Sequence, residues 1–493
     1  MMSEFSENPS PALKVRTIYF VIVILLGLSA CSTGSVLTLT PVETGLESPG
    51  TIQESAEPER VKPTLGVQAS FTPAPLEIDI RDLQAVDLQF WHLWTQEMES
   101  AIQSLVDQFN AENTYGIVVN ASSHGDNLSQ NLLEGIRTGT FPDIAVGRNF
   151  QIQTWDNYRD IIVDLNTYVY NPDWGLSPAD IADFYTSRWD QEMFKGKRLG
   201  LPAQTSAVVL FYNQSWAQEL GFNKPPVTPA EFKDQACSAA ANSISTALSS
   251  ESDTNGIGGW IASTDPAAVM AWMMAFQSDV VHQSGEGYRF DTPEAEDAFA
   301  FIKGLFRSGC AWIPGTPYAN DEFAARKGLF YSSDITGIPF QLTAFEASDS
   351  EDEWIPIPYP GEAGEPVINH YGSAYTILES TPEKQLAAWL FIKWMTQPEN
   401  QAVIVKTSGH LPTRVSAMNL LDEFARSHPQ WSAAQDLLPY SKIEPSFASW
   451  MVARWAVSDA VTELVHPDFP SDHIPLLLED LDALLAEIHD QYR

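Results

Sequence analysis

The stretch VDLQFWHLWTQEMESAIQSLVDQFNAENTYGIVV, residues 86–119, decides the fold. Residues 86–90 alternate between apolar and polar side chains, which is the period of a β-strand. Apolar residues then recur at helical spacing across 101–109 and would form one face of a helix. Residues 116–119 have the composition of a second strand. A strand, a helix and another strand in succession predict a parallel α/β unit with a right-handed crossover.

The same alternation of elements continues along the chain. Leu132, Leu133 and Ile136 predict a second helix, and residues 141–146 predict a turn that enters a third strand. Thr228 and Glu231 have the spacing of a capping box at the start of a later helix. The remaining predicted elements are a strand at 207–213, a Ser-, Asn- and Gly-rich loop at 242–259, and helices at 265–276, 293–306, 382–395 and 449–493, the last with a break at 467–470. The expected fold class is α/β.

The N-terminal segment has the pattern of a secretory signal. Lys14 and Arg16 precede an apolar run at residues 18–30, which is shorter than the roughly 20 residues that span a bilayer. The run ends in Leu-Ser-Ala-Cys, an ending that resembles the bacterial lipoprotein signal, in which the cysteine is lipidated. We therefore expect residues 1–30 to be removed and Cys31 to carry the lipid. The alternatives are an ordinary signal peptide and an uncleaved anchor.

Composition narrows the classes of function. Residues 31–83 are rich in Thr, Ser, Pro and Glu and predict a disordered tether between lipid and folded chain. Apolar residues make up 44% of the chain, enough for real cores, and its length predicts two or three domains. The formal net charge is −37, so nucleic acid is not expected as a partner, because phosphate binding needs clustered Lys and Arg.

Cysteine and histidine usage argues against a metal site. Cys237 and Cys310 remain after Cys31 is assigned to the lipid, and an even pair outside the cytoplasm can form a disulfide. Two free buried thiols are the alternative. The chain has no CxxC motif, and its nine histidines show no HExxH spacing. We therefore expect no cofactor and assign no metal-binding residues, while the binding of a metal ion stays open.

Four segments, in this order, resemble a known family. They are FWHLW…AIQSLVDQFNAEN…IVV (90–119), GIRTGTFPDIAVG (135–147), GLPAQTSAVVLFYNQSWAQELGFNKPPVTPAEF (200–232) and LAAWLFIKWMTQPENQAVIVKTSGHLPTR (386–414). Together they resemble the extracellular solute-binding proteins of ABC importers, the group that includes maltose- and glycerol-3-phosphate-binding proteins. The resemblance implies a two-lobed periplasmic-binding-protein-like fold of type II, with a hinge between the lobes and the ligand between them. It places lobe 1 at 84–206 plus 372–413, and lobe 2 at 207–371 plus 414–493.

The expected ligand contacts follow from the chemistry of sugars, which offer hydroxyls to polar groups and C–H faces to aromatic rings. The candidate ligand-binding residues are Trp91, His92, Asp143, Arg148, Trp260, Tyr371, Gly372, Arg414, Trp450 and Arg454. Trp91 could instead pack in the core, and Asp143 could cap its turn. Trp450 and Arg454 share one face of the C-terminal helix at i, i+4 spacing. For Trp272, Trp389 and Trp394 the alternative to ligand contact is a place in a helix core, which we prefer for the last two.

The resemblance implies a binding protein and no catalysis. The protein would be a monomer on the outer face of the bacterial membrane, held there only by its lipid. It would pass a carbohydrate or polyol to a permease with an associated ATPase. A sensor or scavenging subunit and a secreted glycoside-active enzyme are the alternatives, although the sequence has no GxSxG, HExxH or GxxxxGK[ST] motif. Disaccharide, oligosaccharide, polyol and glycerol phosphodiester ligands all stay open, and a phosphate would need two or more Arg or Lys in the cleft.

Overall fold

Two large sheets, formed by different stretches of the chain, organise the structure. The computed structural model describes residues 76–249, 256, 258–282 and 285–492, with 246–249 described by their backbone alone. The strands of the described residues are β1 (Asp87–His92), β2 (Val118–Ser123), β3 (Ile144–Gly147), β4 (Met193–Phe194), β5 (Lys197–Arg198), β6 (Leu201–Pro202), β7 (Ser206–Asn213), β8 (Trp260–Ile261), β9 (Ala311–Trp312), β10 (Phe330–Asp334), β11 (Trp354–Ile357), β12 (Ile368–Tyr371), β13 (Ala374–Ile377) and β14 (Ser441–Ile443).

Helices connect most of these strands. The α-helices of the described residues are α1 (Gln96–Glu112), α2 (Leu128–Thr138), α3 (Asn149–Arg159), α4 (Asn166–Val169), α5 (Pro178–Ala182), α6 (Thr186–Gln191), α7 (Gln214–Glu219), α8 (Pro229–Ser249), α9 (Pro266–Ala275), α10 (Pro293–Arg307), α11 (Asn320–Ala324), α12 (Ile338–Ala347), α13 (Pro382–Met395), α14 (Pro398–Ser408), α15 (Asp422–Ser427), α16 (Pro429–Gln435), α17 (Trp450–Val465) and α18 (Ile474–Gln491). Strands and helices therefore alternate through much of the chain, as an α/β fold requires.

The first sheet contains the stretch that decides the fold. Its strand order is β2-β1-β3-β13-β6, and β1 pairs in parallel with both β2 and β3. Leu88 and Phe90 point to one face and are fully buried, which confirms the alternation read from the sequence. The strand β13 joins the same sheet antiparallel to β3, although it lies far along the chain. We call this sheet and the helices packed on it the first lobe.

The second sheet is centred on β7. The strand order is β14-β12-β7-β10-β8-β9, and β11 also pairs with β7. Leu210 and Tyr212 pack in one core, whereas Val209 and Phe211 pack in another on the opposite face. Every residue of β7 is buried because both faces are covered, and this explains its continuous apolar sequence. We call this sheet and its helices the second lobe.

The chain crosses between the sheets through short segments. The strand β6 in the first sheet is followed by β7 in the second, and the connection contains only residues 203–205. The chain returns to the first sheet through residues 372–373, between β12 and β13. Thr205 also forms an isolated antiparallel bridge with Leu411, which brings a third segment to this region. Adjacent crossings of this kind form the hinge of a two-lobed molecule, and the lobe boundaries given above stay predictions.

The predicted loop at 242–259 is wrong over its first part. Residues 242–249 continue α8, which runs from Pro229 to Ser249. The Ser and Asn residues that suggested a loop stand among Ala and Leu, and those strong helix formers carry the helix through. The start of α8 agrees with the sequence, because Thr228 accepts a hydrogen bond of 3.2 Å from the backbone N–H of Glu231.

The predicted disulfide is confirmed. Cys237 lies on α8 and Cys310 follows α10, and their sulfurs are bonded across a sequence separation of 73 residues. The backbone N–H of Cys310 donates to the carbonyl oxygen of Leu305 in the last turns of α10. Both ends of the bridge therefore lie within the second lobe.

The N-terminal predictions fall largely outside the described residues. The signal at 1–30, Cys31 and most of the tether at 31–83 belong to this part of the chain. The last residues of the predicted tether are folded, however, because Ile80–Leu83 form a turn of 3-10 helix and Leu83 is fully buried. No helix among the described residues is long and apolar enough to cross a membrane.

Candidate functional site

The carboxyl ends of β1, β2 and β3 form one edge of the first sheet, where ligands of α/β proteins commonly bind. Trp91 lies at this edge and is half-buried. Its ring stacks on His124, with 4.2 Å between the ring centres and 27° between their planes. The indole therefore belongs to a surface pair of aromatic rings and is neither fully exposed nor part of the deep core.

Arg148 brings the two lobes together at this edge. It follows β3 in the first lobe, and its guanidinium carbon lies 4.4 Å from the centre of the Tyr371 ring. Tyr371 is the last residue of β12 in the second sheet. Both side chains are half-buried, and burial raises the pKa of Tyr371 far above its ordinary value, so this phenol is neutral at physiological pH. We call Trp91, Arg148, Asn149 and Tyr371 the crossover site.

Asn149 adds a polar group to the crossover site. It begins α3 directly after Arg148 and is 6% exposed. Its side-chain oxygen accepts a hydrogen bond of 2.8 Å from the backbone N–H of Phe150. Its amide nitrogen is buried without a protein partner. A buried donor of this kind costs stability unless an acceptor forms a hydrogen bond with it. A hydroxyl oxygen of a ligand could be that acceptor.

Gly372 has a packing role beside the crossover site. A Cβ at this position would overlap the carbonyl oxygen of Gln204 and would lie 3.0 Å from the guanidinium of Arg188. Gln204 lies in the first crossing and Arg188 contacts the second, so the close approach of these segments needs a residue without a side chain. The structure therefore explains Gly372 by hinge packing.

A buried ion pair fixes the hinge, and sequence reasoning did not identify it. Arg188 and Glu192 are both fully buried and 3.2 Å apart. Arg188 also donates to the carbonyl oxygen of Ser373 in the second crossing, at 3.1 Å. Burial raises the pKa of Glu192, and the positive charge of Arg188 opposes that shift. The spacing i, i+4 was the available signal, but the sequence could not show that this pair is buried.

Glu444 organises two of the predicted residues. It accepts a hydrogen bond of 2.6 Å from Trp450 Nε1 and lies 3.7 Å from the guanidinium of Arg454. It also accepts one of 2.9 Å from Asn369, two residues before Tyr371. Trp450 is fully buried, so its indole packs in the second lobe and presents no free ring face. The sequence around Glu444 matches no recognisable motif. Only the fold shows that this residue joins β12, β14 and α17.

A large cavity lies between the lobes beside this cluster. Its volume is about 1120 Å³. We call it the side cavity, and the residues that line it are Asn157, Met193, Phe194, Lys195, Met270, Met274, Gln277, Ser278, Asp279, Val280, Val281, Gly285, Glu286, Glu365, Lys442, Ile443, Glu444, Pro445, Ser446, Phe447, Ala448, Ser449, His489 and Tyr492. None of the ligand-binding residues predicted from the sequence is in this set, because its walls come from segments without a recognisable motif.

Direct contacts hold the lobes against each other around the side cavity. Thr154 on α3 donates to the carbonyl oxygen of Ala448 at 3.1 Å. Asn157, also on α3, donates to the carbonyl oxygen of Tyr492 at 2.9 Å. Phe150 packs in the core of the second lobe, and the guanidinium of Arg454 lies 5.6 Å from its ring centre. The helix α3 of the first lobe therefore rests directly on the second.

Two of the predicted contacts lie away from the crossover site. Asp143 stands at the amino end of β3, the edge opposite Arg148, where Lys384 lies 3.1 Å from its carboxylate. His92 shares the buried face of Leu88 and Phe90, and burial lowers its pKa to about 4. Both were expected in the cleft because they flank strands, but strand direction and side-chain alternation place them elsewhere.

Trp260 and Arg414 are also accounted for by packing. Trp260 is buried in an aromatic core and donates from Nε1 to Ser332 at 3.0 Å. Arg414 lies over the ring of Phe184 and has carboxylates of Asp180 and Asp183 at 3.5 Å. Trp272 and Trp389 are buried in cores, while Trp394 is only partly buried against one. The charge of Arg414 is thus neutralised by carboxylates of the protein, and the tryptophan rings are covered by neighbouring side chains.

Solved structures with this architecture bind different small molecules. A cyclic α-maltosyl-1,6-maltose binding protein from Arthrobacter globiformis shares 19% sequence identity, with a TM-score of 0.68 over 82% of this chain and 99% of that one. UgpB from Mycobacterium tuberculosis, solved in complex with glycerophosphocholine, shares 17% identity, with a TM-score of 0.64 over 83% of this chain and 99% of that one. These likenesses confirm the predicted two-lobed α/β fold.

Sequence comparison agrees with the fold. The sn-glycerol-3-phosphate-binding periplasmic protein UgpB of Escherichia coli (strain K12) is 22% identical over 357 residues, which cover 68% of this chain and 76% of the relative. The family model of the bacterial extracellular solute-binding proteins matches residues 104–436 of this chain. That match includes Arg148, Asn149 and Tyr371 of the crossover site, the hinge and most of both sheets. The chain therefore belongs to the bacterial extracellular solute-binding protein family.

Proposed function

We propose that the protein is the substrate-binding lipoprotein of an ABC importer, which captures a carbohydrate or related polyol between its lobes and delivers it to a membrane permease. The observation that supports this most directly is the contact between Arg148 and Tyr371, 4.4 Å apart, because it brings polar and aromatic groups of both lobes to one point. Family membership supports the role in solute capture.

Electrostatics favour a neutral ligand over a phosphate. A phosphate group is usually held by two or more cationic side chains with free donors. Arg454 is paired with Glu444, and Arg414 with Asp180 and Asp183. Arg148 has no carboxylate partner among the described residues and would be alone at the crossover site. One unpaired guanidinium and an aromatic ring suit a sugar, whose hydroxyls accept hydrogen bonds and whose C–H faces stack.

The mechanism is ligand-driven closure. The two lobes move about the crossings at 203–205 and 372–373, and Arg188 of the buried hinge pair bonds to the carbonyl oxygen of Ser373 in the second crossing. A ligand that contacts both lobes binds the closed form more tightly and shifts the population toward it. The closed molecule then docks to the permease, and the chain itself makes and breaks no covalent bond.

The proposed location is the outer face of the cytoplasmic membrane. Lipid on Cys31 would hold the protein there, and residues 32–75 would give the folded part reach. Replacing Cys31 with Ser should release the protein from the membrane fraction into the soluble fraction. A C31S protein that stays with the membrane after a carbonate wash would contradict the lipid anchor.

A thermal-shift screen tests the proposed ligand class. The purified folded chain would be heated with neutral mono- and oligosaccharides, polyols, glycerol 3-phosphate and glycerophosphodiesters. A ligand present at about 100 times its Kd should add roughly 2.7 kcal/mol to the free energy of unfolding. Stabilisation by one or a few neutral sugars is expected. Stabilisation by phosphate compounds alone would contradict the carbohydrate assignment, and hydrolysis of a sugar at stoichiometric protein would contradict the binding role.

A further inference from the structure

The first sheet ends in a long strand with an open outer side. β2 comes first in the order β2-β1-β3-β13-β6, so among the described residues only β1 pairs with it. It has six residues, whereas β6, β9 and β14, the other strands at the ends of the two large sheets, have two or three. A long open edge presents backbone N–H and C=O groups with which a strand of another molecule can pair.

The sequence of this edge lacks the usual protection. Residues 117–123, which include β2, read IVVNASS, with three β-branched residues at the start and no charged residue, proline or glycine. Segments of this length and composition readily pair with copies of themselves. By contrast, β6 contains Pro202 and β14 contains Lys442, two residue types that discourage pairing at an edge. Protection of β2 must therefore come from outside the strand.

Asn110, in the last turn of α1, occupies the outward backbone groups of Val119. The N–H of Val119 donates to Asn110 Oδ1 at 2.8 Å, and Asn110 Nδ2 donates to the carbonyl oxygen of Val119 at 2.9 Å. The next group along the backbone, the N–H of Val118, donates to Val86 on the side of β1. The side-chain amide therefore makes, on the outer side, the two bonds that a neighbouring strand would make.

Asn113, the residue that follows α1, repeats this arrangement two positions earlier in the strand. The N–H of Ile117 donates to Asn113 Oδ1 at 2.9 Å, and Asn113 Nδ2 donates to the carbonyl oxygen of Ile117 at 2.9 Å. Asn113 Nδ2 also donates to the carbonyl oxygen of Phe109 in the last turn of α1. Both asparagines are half-buried, so water competes less for their amides. Only Ala121 and Ser123 are left to offer outward groups along this strand, a shorter edge than ordinary strands use.

We infer that Asn110 and Asn113 close the open edge of the first sheet and prevent two copies of this chain from pairing through β2. A side-chain amide can do this because it carries a donor and an acceptor side by side, as a peptide group does. The excluded partner is a second copy, because a two-fold axis would set β2 antiparallel to itself and consume the edge of both copies in one dimer. The inference does not depend on the ligand or on the importer role.

Sedimentation velocity over a range of concentrations tests the inference. All proteins would carry Cys31→Ser, so that no lipid contributes to association. Protein with both asparagines should sediment as a monomer throughout the range. The variant Asn110→Ala with Asn113→Ala should shift from monomer to dimer as its concentration rises. Gln108→Ala is the matched control, because it removes an exposed amide of α1 that bonds to Glu112 on the same helix, and it should stay monomeric.

A charge placed on the strand should reverse the association. Asn120 is exposed on β2, and Asn120→Lys would bring two lysines close together in an antiparallel β2 pair. Adding this substitution to the double variant should restore the monomer. A double variant that stays monomeric at all concentrations would overturn the inference, and so would a dimer that persists with Asn120→Lys, because that dimer would use another surface.

Hydrogen exchange on dilute protein tests the bonds themselves. Asn110→Ala alone leaves the bonds of Asn113 to α1 in place, so the end of this helix is preserved in the variant. The amide hydrogen of Val119 should exchange about tenfold faster in Asn110→Ala than in the unmodified chain, because it loses a hydrogen bond of ordinary strength. The amide hydrogen of Val118, which bonds on the side of β1, should keep its rate. An unchanged rate at Val119 would mean that Asn110 does not hold this edge, and would overturn the inference.

Discussion

The guanidinium of Arg148 and the ring of Tyr371 form a contact across the two lobes, with 4.4 Å between the guanidinium carbon and the ring centre. One residue follows a strand of the first sheet and the other ends a strand of the second. A cation over an aromatic face that is partly removed from water is worth about 1–2 kcal/mol. The contact can therefore contribute to the preference for the closed arrangement.

Arg148→Ala should weaken binding of the best sugar about tenfold, because a loss of about 1.4 kcal/mol corresponds to that factor. Titration calorimetry gives the affinity, and small-angle scattering should show a larger radius of gyration for the variant with ligand. Arg137→Ala is the matched control, since Arg137 is exposed and its one ion pair within the described part of the chain is with Glu134 on its own helix. Equal affinities for the two variants would remove Arg148 from the site.

Glu444→Gln should destabilise the second lobe. Glu444 and Arg454 are 6% and 8% exposed, and removing one partner of a buried ion pair costs about 3–5 kcal/mol. The new amide would also point a donor at Trp450 or Asn369, which both donate to this side chain. Urea unfolding measures the loss. Adding Arg454→Met should recover part of it, and no recovery would mean that the ion pair does not cause the loss.

The disulfide should stabilise the protein without affecting binding. Replacing both Cys237 and Cys310 with Ser removes a bridge that closes a loop of 73 residues, and loop entropy gives about 4 kcal/mol for this constraint. The urea midpoint should fall, while sugar affinity stays within twofold, because the bridge lies within the second lobe. A large loss of affinity in a folded variant would show that the bridge reaches the ligand site.

Two buried histidines should make stability fall in acid. Burial lowers the pKa of His92 and of His410 to about 4, and the charge of Arg148 adds to the effect at His410. The unfolded chain takes up these protons near pH 6.5 and the folded chain does not. Each histidine therefore contributes fully to the free energy of unfolding above pH 6.5. This contribution, on the order of 3 kcal/mol per histidine, is lost as the pH falls from 6.5 to about 4.

Urea unfolding as a function of pH checks this dependence. His92→Gln should flatten the decline between pH 6.5 and 4 relative to the unmodified protein. His473→Gln, at an exposed position, is the control and should leave the slope unchanged. A slope that is identical in all three proteins would mean that His92 is protonated in the folded state.

Local patterns in the sequence were sufficient to predict most of the helices and strands. The alternation at 86–90 and the apolar face at 101–109 appear in the structure as β1 and α1, and the helix predicted at 382–395 has those bounds. The loop predicted at 242–259 was wrong over residues 242–249, because polar residues in a helix look like a loop when their Ala neighbours are discounted. Local preference is reliable where composition and period agree, and fails where they conflict.

The candidate site was only partly predictable. Arg148 and Tyr371 were both predicted, but the sequence gives no sign that they meet. Asp143 was placed in the cleft from a turn, whereas it lies at the opposite edge beside Lys384. Trp450 and Arg454 were correctly paired on one helix face, but the group that holds them, Glu444, was missed because it comes from a different segment.

By itself, the sequence determined the α/β class, the order of the four family segments and the pairing of Cys237 with Cys310 as one of two alternatives. These depend on residue period, on order along the chain and on the count of cysteines. Only the tertiary structure decided which side chains meet, because sheets and crossings bring together residues hundreds of positions apart. Arg148 reaches Tyr371, Arg188 reaches Ser373, and the side cavity is lined by segments from both lobes. Strand direction, burial and the packing of one lobe on the other set these contacts, and none of them leaves a local pattern in the chain.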